Sequence, residues 1–103
     1  MLEDYVVIDL EMTGLNAKTD AILEVGAVRV RDGRQTETYG AILKCGRELS
    51  ERVVELTGIT PEMAADGREP EEAMQEFFTF LGDDVLVGQN AVSYTHLRAH
   101  ETS

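Results

Sequence analysis

Two acidic residues, Asp9 and Glu11, end an apolar run that begins at Tyr5-Val6-Val7. Such a run favours a buried β-strand, and side chains two positions apart on a strand point to the same face of the sheet. Two carboxylates held together where a buried strand ends repel each other and are costly to desolvate, so they require a positive counter-charge. Mg²⁺ and Mn²⁺ are hard cations that prefer carboxylate oxygens, so the pattern predicts a divalent metal site.

Length and charge limit the class of protein. The 103 residues suit one small domain. The net charge of −11 argues against a basic surface that coats nucleic acid, but it is compatible with a phosphate site bridged by metal ions. The single cysteine, Cys45, excludes an intrachain disulfide and fits a reducing, cytoplasmic compartment. The acidic N-terminus is unlike a signal peptide, and no apolar run approaches the ~20 residues of a membrane helix, so no membrane partner is expected.

The first half of the chain predicts an antiparallel meander. Its three strands are expected over residues 4–10, 21–31 and 35–44. A polar loop over residues 12–20 separates the first two strands. Within the second strand, Ile22, Val28 and Val30 are predicted to share one face. Asp32-Gly33 is a hairpin turn signal between the second and third strands.

The second half predicts helices followed by one more strand. Ser50 is a good N-cap for a short helix that stops near Gly58, and Thr60-Pro61 begins another short turn. The best helix starts at Pro70 and ends at Gly82. Its predicted core stripe has the spacing i, i+3, i+4 and i+7, at Met74, Phe77, Phe78 and Leu81. The short apolar segment Val85-Leu86-Val87 is typical of a strand that pairs in parallel inside a covered sheet.

Four blocks, in this order along the chain, carry a family resemblance. They are Asp9-Leu10-Glu11-Met12-Thr13-Gly14-Leu15, Ile22-Leu23-Glu24-Val25-Gly26-Ala27-Val28, Leu56-Thr57-Gly58-Ile59-Thr60 and Leu86-Val87-Gly88-Gln89-Asn90. In this order they resemble the N-terminal half of the DEDD-type 3′→5′ exonucleases of the proofreading kind. The resemblance covers residues 1–91. It implies an α/β, ribonuclease H-like fold with a mixed sheet, in which a three-stranded antiparallel meander is joined by a parallel fourth strand and helices.

The resemblance also implies site residues. Asp9 and Glu11 become catalytic ligands of two divalent metal ions, Mg²⁺ or Mn²⁺, in a two-metal hydrolysis of phosphodiesters. Substrate contacts to the 3′-terminal nucleotide fall on Met12, Thr13, Gly14, Leu15 and Asn90. Glu24 is interpreted as a partly buried structural acid near the site. The implied partners are the 3′ end of a nucleic acid and a DNA polymerase, and the implied products are nucleoside 5′-monophosphates.

Two alternatives stay open. Met12 replaces the Thr that is most common at this position, and Glu-Met-Thr-Gly is typical of oligoribonucleases, which are RNA exonucleases. The segment from Leu56 to Thr60 instead favours the proofreading type. A non-catalytic binding module of the same fold is the alternative from another class.

The resemblance stops abruptly after residue 91. Tyr94 stands where the family has a metal-binding Asp, and tyrosine is a poor ligand for Mg²⁺. The third motif of the family, with its His and Asp, is not present in the chain. Residues 92–103 are similar to a translated sequencing-adapter sequence, so no role is assigned to His96 or His100. We therefore expect residues 1–91 to be a C-terminally truncated part of an exonuclease domain that is poorly stable and catalytically inactive as written.

Overall fold

A four-stranded mixed sheet with three helices forms the protein in this computed structural model, which describes residues 3–14 and 20–88. The elements are β1 (Tyr5–Met12), β2 (Ile22–Arg31), β3 (Arg34–Ile42), α1 (Glu51–Thr57), α2 (Pro61–Ala65), α3 (Pro70–Leu81) and β4 (Leu86–Val87). The strand order is β3-β2-β1-β4. The first three strands are antiparallel neighbours, and β4 pairs in parallel with β1. The predicted fold class is confirmed.

Short-range signals begin and end these elements where the sequence predicts. Asp32 and Gly33 both take positive φ angles, of 56° and 73°, as a tight hairpin turn between twisted strands requires. The Ser50 hydroxyl accepts a hydrogen bond of 3.2 Å from the Val53 backbone N–H at the start of α1. Gly58 ends α1 in the left-handed region at φ 76°, a conformation that favours glycine.

One face of the sheet packs against α3 and forms the main core. The side chains of Val6, Ile8 and Leu10 alternate inward from β1. They pack with Phe77 and Leu81, which are fully buried on the predicted stripe of α3. Met74 and Phe78 lie partly buried at its edge, and Ala73 is a buried residue that the stripe did not include.

The structure corrects three details of the predicted strands. β1 continues to Met12, so this residue lies in the strand and not in the polar loop. β3 ends at Ile42, before the predicted end at residue 44. The strands β1 and β4 each have one exposed face in the described part of the chain, since Val7 and Val87 are 38% and 43% exposed, and Val85, just before β4, is 55% exposed. The face of the sheet opposite α3 is therefore open along β1 and β4, and it is this face that carries Asp9 and Glu11.

A charged residue occupies a core-facing position on β2. By alternation with Val25 and Ala27, Arg29 lies on the face that α3 covers. Its guanidinium stacks 4.1 Å from the centre of the Phe80 ring and donates to the Phe80 carbonyl. It also forms an ion pair of 2.7 Å with Glu37. The aromatic face and these acceptors satisfy the guanidinium at the edge of the core.

Candidate active site

Asp9 and Glu11 lie next to each other on the open face at the C-terminal part of β1, as predicted. Across β2, Asp9 is opposite Gly26, and Gly26 is in turn opposite Gly40 of β3. On this side of β1, neither β2 nor β3 therefore presents a side chain in the row of Asp9. Glu11 is opposite Glu24. The site thus combines three carboxylates with an open floor of two glycines, which leaves room for a ligand above the sheet.

The carboxylates leave a local excess of negative charge. Partial burial raises the pKa of Glu11, and the nearby charges of Asp9 and then Glu24 raise the pKa of Glu11 further. Among residues 3–14 and 20–88, Asp9 and Glu11 take part in no ion pair with Lys or Arg. Glu24 is partly buried, as predicted. A divalent cation between Asp9 and Glu11 would remove the repulsion, so this donor set fits a hard metal ion.

Asp9 and Glu11 do not form a complete metal site by themselves. The described residues hold no group of three or more His, Cys, Asp or Glu side chains arranged to bind a metal ion. Two carboxylates supply only part of the six oxygen ligands that Mg²⁺ prefers. A functional site at this position therefore needs further ligands from water, from the substrate or from another segment.

The predicted substrate segment continues directly from β1. Met12, the last strand residue, is partly buried, and Thr13 and Gly14 follow it. The backbone N–H of Thr13 donates to the Ala21 carbonyl at 2.9 Å, and the Ala21 N–H donates back to Thr13 Oγ1 at 3.0 Å. Thr13 Oγ1 donates to Asp20 Oδ1 at 2.9 Å. Thr13 and Gly14 are thus held beside the carboxylate pair.

Asp20 is a residue that the sequence analysis missed. It stands immediately before the β-type run of the second strand, in a loop whose composition indicated only a polar connection. Thr13 and Ala21 are at the two ends of that loop and must meet for β1 and β2 to pair. A carboxylate next to Ala21, which could accept a hydrogen bond from the Thr13 hydroxyl, was therefore the signal that could have identified Asp20. That signal depends on strand register, which the sequence did not specify to the residue.

The start of the second predicted motif lies against β1. A Cβ atom built on Gly88 would be 2.5 Å from the Ile8 carbonyl oxygen and 2.8 Å from Ile8 Cγ1. The chain after β4 therefore passes in close backbone contact with the residue that precedes Asp9. Only glycine allows this approach.

Several predicted residues fall outside the part of the chain that the structure describes. Leu15 and Asn90, both predicted substrate contacts, are among them. Tyr94, His96 and His100 of the divergent C-terminal segment are outside it as well. Their roles stay as the sequence predicts them.

Comparison with known proteins decides the family. A model of the exonuclease family matches residues 6–101. The DNA polymerase III PolC-type of Thermotoga petrophila is 43% identical over 91% of this chain, and the protein of the same name from Bacillus subtilis is 42% identical over 86% of it. The chain belongs to the exonuclease family. It spans only 7% and 6% of the length of these two relatives.

Solved structures of exonucleases have the same fold as this exonuclease segment. Exonuclease I, determined in its apo form, superposes with a TM-score of 0.74 at 21% identity, covering 89% of this chain and 22% of that protein. Exonuclease X, determined with 5′ overhanging duplex DNA, gives a TM-score of 0.70 at 26% identity, covering 85% of this chain and 49% of that protein. The predicted exonuclease resemblance is confirmed. In the described part of the exonuclease segment, none of the helices has the length and apolar character needed to cross a membrane.

Proposed function

We propose that this chain is the N-terminal part of a metal-dependent 3′→5′ exonuclease that removes nucleotides from DNA ends as nucleoside 5′-monophosphates. The observation that carries the proposal is the pair Asp9 and Glu11, side by side on an open sheet face and without a basic partner among the described residues. Family membership supports hydrolysis of nucleic acid. The polarity, the metal dependence and the products are what the experiments below test.

Asp9 and Glu11 are the residues that would hold divalent metal ions. When bound, such ions supply an activated water and charge stabilisation at the leaving oxygen of a phosphodiester. The two carboxylates would fix the position of such ions beside the open floor formed by Gly26 and Gly40. Partial burial disfavours the charged form of Glu11, and a bound divalent cation would offset that cost.

DNA is the favoured substrate because of the relatives. The PolC-type proteins are by name DNA polymerases, and exonuclease X was determined with duplex DNA. A polymerase that carries this domain on the same chain would use it for proofreading at the primer 3′ end. An oligoribonuclease-like activity, which the Glu-Met-Thr-Gly string suggests, is the outcome to be tested against it.

The chain as given is proposed to be inactive. Tyr94 stands where the resemblance implies a metal-binding Asp, and a tyrosine cannot replace that carboxylate near neutral pH. Re-sequencing of the source DNA beyond codon 91 tests the origin of residues 92–103. A continuous frame with an Asp in place of Tyr94 supports the enzyme, whereas a genuine frame that encodes the present tail supports a non-catalytic binding module.

The activity test uses the uninterrupted gene product with Mg²⁺ or Mn²⁺ and a 5′-labelled oligonucleotide. We expect stepwise shortening from the 3′ end of DNA, and slower shortening of the same sequence in RNA. Asp9→Asn and Glu11→Gln should each reduce the rate by more than about 100-fold, the upper range for loss of an outer-shell partner of a metal ligand. Mn²⁺ binding, measured by calorimetry, should weaken in both variants.

Asp83→Asn is the matched control, because it neutralises an exposed carboxylate in the turn after α3, next to Asp84, which pairs with Arg31 at the end of β2 opposite to Glu24. Full activity of both amide variants would refute the metal-ligand roles. Faster degradation of RNA than of DNA would replace the proposed substrate by the oligoribonuclease alternative.

A further inference from the structure

The Thr13 hydroxyl joins the two ends of the loop after β1. As an acceptor it binds the Ala21 N–H, and its single proton goes to Asp20. The direction of that proton is therefore set by the carboxylate. A residue at position 20 without an acceptor oxygen would free the hydroxyl and leave its orientation undetermined.

The same carboxylate fills the space beside Gly14. A Cβ atom on Gly14 would lie 2.6 Å from Asp20 Oδ2 and 2.9 Å from Asp20 Oδ1. Asp20 therefore contacts both residues of the segment, one through a hydrogen bond and the other by close packing. It is 24% exposed, and Arg47 Nη1 lies 3.9 Å from its Oδ1. This cation partly offsets the negative charge that Asp20 brings towards a site for phosphodiesters.

We infer that Asp20 is a positioning residue for the 3′-terminal nucleotide, which acts by holding Thr13 and Gly14 at the end of β1. The inference rests on the proposed exonuclease function and adds a residue to it. Thr13 follows Glu11 by two positions, and β1 pairs with β2 in regular register through Glu11, with a shift in register between Glu11 and Met12. A shift of Thr13 and Gly14 thus changes the surface that receives the nucleotide while the strand that carries Asp9 and Glu11 stays in place.

This division of roles predicts a specific kinetic pattern. In the full-length enzyme, Asp20→Ala should raise the KM for a DNA 3′ end about 10-fold, below the ~100-fold that a displacement of ~1 Å of a reacting group can cost. The kcat should stay within about twofold, since the metal-holding carboxylates are unchanged. The affinity for Mn²⁺ should equal that of the wild type.

Asp20→Asn separates the hydrogen bond from the charge. The asparagine Oδ1 still accepts from the Thr13 hydroxyl, but the attraction to Arg47 is lost. We expect the KM of this variant to lie much closer to the wild-type value than to that of Asp20→Ala. Thr13→Val removes the hydroxyl without altering position 20, and it tests the same link if Asp20→Ala does not fold. The double variant should be no worse than the more impaired single variant, as expected for two groups in one interaction.

The outcomes distinguish this inference from the proposed function. An unchanged KM in Asp20→Ala, in an enzyme that Asp9→Asn inactivates, would overturn the positioning role alone. So would an Asp20→Asn variant as impaired as Asp20→Ala, or a loss of kcat and Mn²⁺ affinity like that of Asp9→Asn. A wild-type enzyme that leaves 3′ ends intact would instead refute the proposed function itself, and the positioning role with it.

Discussion

Gly67 is the position where one added methyl group should disturb the fold most clearly. It lies between α2 and α3, where the chain docks on the end of β3. A Cβ atom at Gly67 would be 2.7 Å from both the Leu43 carbonyl carbon and the Lys44 nitrogen. These are backbone atoms and cannot rotate away. The separation is roughly 0.8 Å shorter than the ~3.5 Å at which carbon atoms pack favourably.

Relief of this overlap would affect the hydrogen bonds that hold the segment. The Arg68 N–H donates to the Ile42 carbonyl at 2.8 Å, and the Lys44 N–H donates to the Arg68 carbonyl at 2.8 Å. A movement of the segment by the required distance would stretch both bonds beyond good geometry, at about 0.5–1.5 kcal/mol each. If the bonds held, the strain of overpacking would be about 1–3 kcal/mol instead. Either response predicts that Gly67→Ala destabilises the fold by about 2 kcal/mol.

Gly46→Ala is the matched control. A Cβ atom at Gly46 meets no atom within 4 Å, and its φ is outside the left-handed region. Both variants reduce the entropy of the unfolded chain by the same mechanism, about 0.4–1 kcal/mol, so this contribution cancels when the two are compared. The difference between them therefore isolates the contact of Gly67 with β3.

Thermal unfolding of the 103-residue chain, followed by far-ultraviolet circular dichroism, measures this difference. A loss of about 2 kcal/mol should lower the Tm of Gly67→Ala by about 8–16 °C relative to Gly46→Ala, at ~4–8 °C per kcal/mol for a domain of this size. Urea midpoints should move in the same direction with an unchanged m-value. Equal Tm values for the two variants would refute the argument that close packing on β3 requires glycine at this position.

Three further predictions concern α3 and β4. Hydrogen bonding to Arg68 lowers the pKa of Glu76 to about 2, from its usual value of 4.5. The ionised Glu76 therefore stabilises the fold fully above pH 4.5, and this stabilisation is lost as the pH falls towards 2. Glu76→Gln should therefore flatten the dependence of the urea midpoint on pH in this window, and an unchanged slope would contradict the assigned partner. Phe77→Ala should lower the free energy of unfolding by about 3–5 kcal/mol because the ring is fully buried, whereas Leu56→Ala, at a side chain that is 73% exposed, should change it by less than about 0.5 kcal/mol. Gly88→Ala should displace β4 from β1 and weaken amide exchange protection in β4; retained protection would disprove the close backbone approach.

Several features could be predicted because they depend on residues within a few positions of each other. The turn at Asp32-Gly33 and the ends of α1 at Ser50 and Gly58 follow from local backbone sterics and short-range hydrogen bonds. The shared face of Asp9 and Glu11 follows from the two-residue period of a strand. These local rules also predicted the stripe on α3, although they missed the small residue Ala73.

Other features depend on contacts between distant segments. Two-residue alternation places Arg29 on the same face as Val25 and Ala27, but it does not show that the ring of Phe80 and the Glu37 carboxylate of the neighbouring strand are there to receive the guanidinium. The role of Gly67 becomes visible only when its segment lies against the end of β3. Both depend on how the elements dock, and docking is decided by the packing of the whole core.

By itself, the sequence determined the pair of carboxylates, the succession of strands and helices along the chain, and the family. Motifs, caps and periodicity allow this because they are properties of residues that are close together in the sequence. Only the tertiary structure decided that the face with Asp9 and Glu11 is the open one, that two glycines form its floor, and that Asp20 holds Thr13 across the loop. The physical reason is strand register. Register selects which distant residues stand opposite each other. A shift of one strand by one residue would turn all of its side chains to the opposite face of the sheet.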